Sequence, residues 1–216
     1  MIPKIIHYVW LNKSNPQKVP NSIGAWKNLL PDYEIMRWDL NKFDVEKSEW
    51  VKNALEKNMY AFAADYIRFY ALYNFGGIYL DTDVSIVKPF DELLDLPYFA
   101  GFDMTGKIES ATIGAEPKCE WIKKCMDYYD GREFSTKPVP FIISEILLEN
   151  YGIKKIKSKE QFNKNEKQIQ IFSVDFFSQN TGITRKFTEQ KILLVFTILK
   201  VHGYLNFPLK LKLKIF

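Results

Sequence analysis

Apolar positions along the chain change their period several times, and each change predicts an element. Ile5 to Trp10 (IIHYVW) is a short, β-rich apolar run, which predicts a buried strand. A loop rich in Pro, Asn and Ser follows, with Pro16 and Pro20. Ser22 to Leu30 reads as a short helix stopped by Pro31, and Tyr33 to Asp39 (YEIMRWD) alternates as a second strand. Strand, helix, strand in that order predicts a βαβ unit and so an α/β sheet.

The longest helical stretch is Glu49 to Phe75, with a break expected near Asn58. Its second part, AFAADYIRFYALYNF, is apolar around most of its circumference, the pattern of a helix packed inside a domain. Gly76 and Gly77 then supply a C-terminal cap and a sharp turn. Ile78 to Leu80 is a strand that ends at Asp81-Thr82-Asp83. Beyond it the pattern predicts a short turn or helix at Asp91–Leu96, strands at Tyr98–Phe102 and Ala111–Ala115, and helices at Lys118–Tyr129 and Phe141–Asn150. Lys154 to Lys167 is charged and poorly periodic, so an exposed loop is expected there. With no internal repeat and no low-complexity linker, one domain is the economical reading.

Composition narrows the class without naming a function. A chain of 216 residues with 47% hydrophobic and 26% charged positions is long enough to bury a full core, which excludes disorder, collagen and coiled coil. Aromatics at 16% serve a core first, and they also stack on sugars and bases. The net charge of +4 hides an asymmetry: residues 1–150 carry 17 Lys and Arg against 22 Asp and Glu, residues 151–216 carry 13 against 4. A uniform nucleic-acid binder does not divide its charge this way. A solvated Lys-rich face is the plainer reading of the basic end. Cys119 and Cys125, with no His nearby, fit no zinc pattern and read as free thiols in a reducing compartment. The opening MIPKIIHYVWLNK lacks the apolar core of a signal peptide, and no run approaches the length of a membrane span. The expected location is therefore cytoplasmic, with peripheral contact at the inner face of the membrane as an option left by the terminal LKLKLKIF.

Candidate chemistry concentrates between Asp65 and Asp83. Two carboxylates at i and i+2, just past a strand's C-terminal end, repel each other unless a hard divalent cation joins them. Ligands of α/β sheets gather at that end of the strands. Asp81 and Asp83 are thus candidates to hold Mn²⁺ or Mg²⁺, and through it a phosphate. A solvated acidic turn is the bland alternative. Asp65 and Arg68, spaced i, i+3, share a helix face and form either a buried structural ion pair or a polar site lining a cleft. His7 reads as a satisfied core histidine rather than a catalytic one, and Asp39 stays unassigned.

The run ADYIRFYALYNFGGIYLDTD, Ala64 to Asp83, resembles the signature of family 32 glycosyltransferases, which contain a DXD sugar-binding region and include capsular polysaccharide synthesis proteins and yeast mannosyltransferases. The opening IPKIIHYVW, the PDYE and WD segments at Pro31–Glu34 and Trp38–Asp39, and KPFDELL at Lys88–Leu94 fit the same family. The resemblance covers roughly the first 130 residues. It implies a GT-A fold, a Rossmann-like domain with a mixed central sheet flanked by helices. It also implies a metal-dependent, retaining transferase that takes a UDP- or GDP-sugar donor and a glycan or lipid-linked glycan acceptor, in bacterial surface polysaccharide synthesis. By the same resemblance Trp10 stacks on the nucleobase, and Asp65 and Arg68 meet the donor sugar and nearby phosphate. Tyr79 sits near the donor, with Gly76 and Gly77 in the donor-binding segment. Asp81 bridges ribose and sugar, and Asp83 binds the metal.

The chain departs from that family after Gln190. Family members close with an Asn-Thr-x-x-Ile-His-His-x-x-x-Ser-Trp segment, where this chain reads KILLVFTILKVHGYL. With suitable codons, the DNA for that stretch read two bases later encodes NTFGIHHFKGSW. The expectation is a domain over residues 1–190 and a frameshifted tail over 191–216. Two other readings follow: a catalytically impaired remnant or binding module, and, more remotely, a haloacid-dehalogenase-type phosphatase, whose hhhDxDx[TV] motif LDTDV imitates.

Overall fold

The structure, a computed structural model, describes residues 1–11, 20–176 and 184–185. Met1–Thr184 forms one compact unit. The expected boundary at residue 190 and the tail beyond it lie outside the described residues.

The elements follow in the order β1 (Ile5–Val9), α1 (Asn21–Leu29), β2 (Glu34–Trp38), α2 (Glu49–Glu56), α3 (Tyr60–Phe75), β3 (Gly77–Leu80), β4 (Val84–Ser85), β5 (Tyr98–Phe102), β6 (Ile108–Ala115), α4 (Glu120–Asp127), α5 (Val139–Asn150), β7 (Ile153–Ile156) and β8 (Ile169–Phe172). A seven-stranded sheet runs in the order β2-β1-β3-β6-β5-β8-β7. β1 is parallel to both β2 and β3, β6 is antiparallel to β3 and β5, and β8 is parallel to β5 and β7. The sheet is therefore mixed and α/β, as the strand–helix–strand pattern predicts.

The two-residue period of the strands sorts the core into two layers. Val9 and Tyr79 pack into the larger cluster with residues of α2, α3, α4 and α5. Ile6, Tyr8, Ile78 and Leu80 face the other way, toward Ile23 and Trp26 of α1 and toward Phe90, Leu93 and Leu96. α3 lies between β1, β3 and β6 on one side and α2 and α4 on the other. That enclosure is why its sequence is apolar all round: Ala63, Ile67, Phe69, Ala71 and Leu72 are fully buried. Each large apolar side chain among them contributes about 1.5–3 kcal/mol of burial.

The break between α2 and α3 falls where expected. Asn58 takes a left-handed φ of 56°, a conformation Asn tolerates better than most residues. α2 is opened by Ser48, whose hydroxyl accepts from the Val51 amide (3.3 Å) as an N-cap. α3 ends because Gly76 adopts φ 65° and ψ −163°, where a side chain is strained.

One expectation is corrected. Lys154–Lys167 is not wholly a loop: Ile153–Ile156 is a strand at the sheet edge and Lys159–Gln161 a short 3-10 turn. Ile153 and Ile156 are the half-buried and buried positions, while Lys154 and Lys155 are exposed. Lysines on an edge strand discourage pairing with another chain, and they mask the strand pattern in the sequence. β8 (IQIF), on which β7 pairs, carries the burial that makes the edge possible.

Candidate active site

Three elements bring the candidate residues together. Asp65 and Arg68 sit on the sheet-facing side of α3, and Tyr79 stands on β3 with Asp81 just past its end. The Arg68 guanidinium is the hub. Its Nη2 donates to Asp65 Oδ1 at 2.8 Å and lies 3.6 Å from Asp81 Oδ1. Its Nη1 donates to the Ser110 carbonyl on β6. Its Cζ lies 4.6 Å over the Tyr79 ring, a cation–π contact. Tyr79 Oη in turn donates to Asp81 Oδ1 at 3.0 Å. The ion pair and the cleft reading of Asp65 and Arg68 thus meet in one structure: the pair is buried, and it reaches the Asp-x-Asp motif.

Burial sets the protonation states. It pushes the Asp65 carboxyl above the ordinary carboxylate range, and the adjacent Arg68 charge pulls back against it. Burial also opposes the Arg68 charge, but Tyr79, Asp81 and Asp65 outweigh it. The Tyr79 phenol is held well above its usual value, first by burial, and so stays a hydrogen-bond donor to Asp81. Tyr129, which follows α4, is a buried neighbour that the pattern did not single out. After burial, Asp65 and Arg68 are the largest influences on its ionisation. Its ring packs on Tyr66 and Phe69 of α3.

The backbone at the motif is held from both sides. The Asp81 amide donates to the Ala111 carbonyl of β6 (2.9 Å), and the Val84 amide to the Asp81 carbonyl (3.0 Å). From α1, Ser22 Oγ donates to the Thr82 carbonyl (2.6 Å) and Trp26 Nε1 to the Val84 carbonyl (3.0 Å). These anchors end on backbone carbonyls, so nothing in the motif's own side chains announces them.

Trp10 follows β1 directly, at the same sheet edge as Asp81, because β1 and β3 are parallel and His7 pairs with Tyr79. It is half-buried and packs on the α1 side, and its indole N–H has no hydrogen-bond partner among the described residues. Asp83 stands two residues beyond Asp81. Gly76 and Gly77 lie at the opposite end of β3, about 13 Å along a four-residue strand. Locally, they let the chain turn where Cβ atoms would lie 2.6 Å from Pro117 Cδ and from the Ile5 carbonyl. His7, on β1, is fully buried and accepts from the Trp38 indole N–H of β2, and Asp39 accepts from the amides of Asn41 and Lys42. Burial raises both Cys119, to about 11, and Cys125, so the thiols are protonated; neither is in a disulfide.

Among the described residues no group of three His, Cys, Asp or Glu is placed to hold an ion. The set at the end of β3 is the two carboxylates Asp81 and Asp83. Mg²⁺ and Mn²⁺ are commonly held by one or two carboxylates together with substrate phosphates. The residues therefore fit a cation that arrives with a diphosphate.

Residues 16–100 match the model of the family described as a glycosyltransferase sugar-binding region containing a DXD motif. The segment is a DXD glycosyltransferase region. Its Asp-x-Asp is Asp81 and Asp83, and the family 32 resemblance read from the sequence is borne out at this level. Inositol phosphoceramide mannosyltransferase 3 of Schizosaccharomyces pombe is 35% identical over 100 residues, 44% of this chain and 28% of that protein. Mannosyl phosphorylinositol ceramide synthase SUR1 of Saccharomyces cerevisiae is 27% identical over 130 residues, 58% of this chain and 34% of that protein. The matches to these curated relatives thus span about a third of their length. Among solved structures, PaToxG glycosyltransferase aligns with a TM-score of 0.50 at 20% identity, covering 68% of this chain and 69% of that one. That likeness shows the GT-A fold. The DXD glycosyltransferase region then supplies α3 and β3, and the first residues of β6, outside the matched segment, close on them.

Proposed function

We propose that the chain is a metal-dependent, retaining glycosyltransferase that moves a hexosyl group from a UDP- or GDP-linked sugar to an acceptor hydroxyl. The observation that carries the reading is the linked set Asp65–Arg68–Tyr79–Asp81 at the C-terminal end of β3, inside a DXD glycosyltransferase region. Mannose is the first sugar to test, because the two fungal relatives are named for mannosyl transfer onto inositol phosphoceramide. A lipid-linked acceptor stands beside a glycan one for the same reason. The role in bacterial surface polysaccharide rests on the sequence resemblance alone. No helix among the described residues is long and apolar enough to cross a membrane.

Each residue has a task that its environment suits. Asp81 and Asp83 are the residues that would hold Mn²⁺ or Mg²⁺, and the bound ion supplies neutralisation of the leaving diphosphate. Arg68 keeps Asp65 and Asp81 in fixed positions at low dielectric, where their lone pairs are worth most to a sugar hydroxyl. Tyr79 orients Asp81 through its phenol hydrogen. Trp10 offers a ring for a base and an unpartnered indole N–H at the same edge. The phosphatase reading would need the Asp-x-Asp on the first strand of the fold; here it ends the third.

The test is a panel of UDP- and GDP-sugars with Mn²⁺, read by thermal shift and titration calorimetry. A nucleotide sugar that binds only with metal, and tenfold or more weaker to Asp83→Ala, supports the reading. A frame-restored chain carrying the His-His and Ser-Trp segment is run beside it. If only the restored chain binds, the present chain is a remnant. If neither binds any nucleotide, the donor-site reading is wrong.

A further inference from the structure

The strand that ends in the Asp-x-Asp motif, β3, is seated differently on its two sides. On one side β3 is held by a four-residue ladder to β6, from Gly77 to Leu80; on the other it pairs with β1 at two positions, Ile6 with Ile78 and His7 with Tyr79. A slip of one residue would send Tyr79 and Asp81 to the opposite face of the sheet. The β1 side thus has the shorter ladder, and the turn that leads into it runs through two glycines at positive φ (65° and 96°).

His7 supplies a side-chain pin at this place. Its Nε2 lies 2.7 Å from the Gly76 carbonyl oxygen, and Trp38 Nε1 lies 3.1 Å from its Nδ1. A carbonyl only accepts and an indole N–H only donates. The partners therefore dictate the neutral imidazole with its hydrogen on Nε2. The ring is fully buried, with Phe75 and Trp38 at 6.2 and 6.1 Å between centroids. A Cβ on Gly77 would come within 3.2 Å of the same Nε2, so backbone and imidazole are in close contact. Through one ring, β2, β1 and the α3–β3 turn are joined, and the strand that follows the turn ends in the Asp-x-Asp motif.

We propose that His7 is a positioning residue: a neutral imidazole that clamps the Gly76 carbonyl, seats the start of β3 against β1 and β2 and thereby helps aim Tyr79, Asp81 and Asp83 at the ligand. Its effect on binding rests on the donor-site reading, while its effect on the strand does not. The experiment separates the two. Three variants are compared with the parent chain. His7→Ala removes the pin. His7→Gln retains an amide donor for the Gly76 carbonyl. Leu147→Ala, a fully buried position on α5, is a stability control.

Nuclear magnetic resonance of the ligand-free proteins is expected to show the Nε2–H tautomer in the parent. Backbone shifts at residues 78–83 should move in His7→Ala, return most of the way in His7→Gln and stay unchanged in Leu147→Ala. Binding of Mn²⁺ with UDP or GDP, measured where all variants are folded, is expected to fall tenfold or more in His7→Ala and to recover in His7→Gln. Unmoved shifts at 78–83 in His7→Ala, or His7→Ala and Leu147→Ala weakening binding alike for equal loss of Tm, would overturn the proposal. Should His7→Ala fail to fold, His7→Gln still decides: native shifts at 78–83 support the pin, and shifts displaced as far as a strand slip requires contradict it. A parent that binds no nucleotide defeats the donor-site reading and leaves the shift comparison to judge the pin.

Discussion

Arg68 is the residue on which the site's charges converge, and its removal should be costly. Replacing it with Ala leaves Asp65 buried beside no counter-charge, a situation that typically costs 3–5 kcal/mol. Chemical denaturation of Arg68→Ala should show a loss of about that size; a loss under about 1 kcal/mol would mean the pair is not a buried one. Tyr79→Phe removes one hydrogen bond to a carboxylate and should cost about 1–2 kcal/mol, with a larger effect on nucleotide-sugar binding than on Tm. His7 predicts a pH dependence. Burial lowers its pKa to about 4, against 6.5 for an unperturbed imidazole. Between those values the unfolded chain takes up a proton and the folded chain does not. Stability is therefore full above about pH 6.5 and falls as pH drops toward 4, by roughly 3 kcal/mol in total. Urea midpoints measured from pH 7.5 to 4 should show that decline in the parent chain and a shallower one in His7→Gln. Parallel curves would remove His7 as the cause.

At the scale of elements, the turn between α3 and β3 is the most constrained. Gly76→Ala places a Cβ 2.6 Å from Pro117 Cδ and 2.9 Å from Pro3 Cδ at a positive φ, so both strain and overlap oppose it. The expected outcome is a loss of at least 2 kcal/mol, or insoluble protein; a Tm within about 2 °C of the parent chain would contradict this account of the turn. Much of this level was legible in the sequence. The strands at β1 and β2, the α2–α3 break at Asn58 and the Gly-Gly turn all announce themselves by period or residue type. β7 was hidden because Lys154 and Lys155 give an edge strand the composition of a loop. In the site, the pairing of Asp65 with Arg68 follows from i, i+3 spacing, but the reach of Arg68 to Asp81 and to the Ser110 carbonyl does not. A backbone acceptor has no residue type to read. The His7–Trp38 contact was also invisible, since it depends on β1 and β2 lying side by side with their side chains on one face.

For the whole molecule, the mixed sheet and its two layers explain why the acidic half of the sequence carries the candidate site. The parallel strands β1 and β3 end at one edge, where Trp10, Asp81 and Asp83 follow them, and α3 delivers Asp65 and Arg68 to the same edge. The basic excess of residues 151–216 lies partly on the exposed face of β7 and partly beyond the described residues. On the proposed function, this edge binds a nucleotide sugar through a metal held by Asp81 and Asp83. The most direct measurement is release of sugar from nucleotide sugars, with GDP-mannose first and UDP-hexoses beside it, at saturating Mn²⁺, comparing the chain with Asp83→Ala. Metal-dependent turnover is expected, falling at least a hundredfold in Asp83→Ala while the variant keeps its fold. Turnover that survives both chelation of the metal and loss of Asp83 would contradict that function.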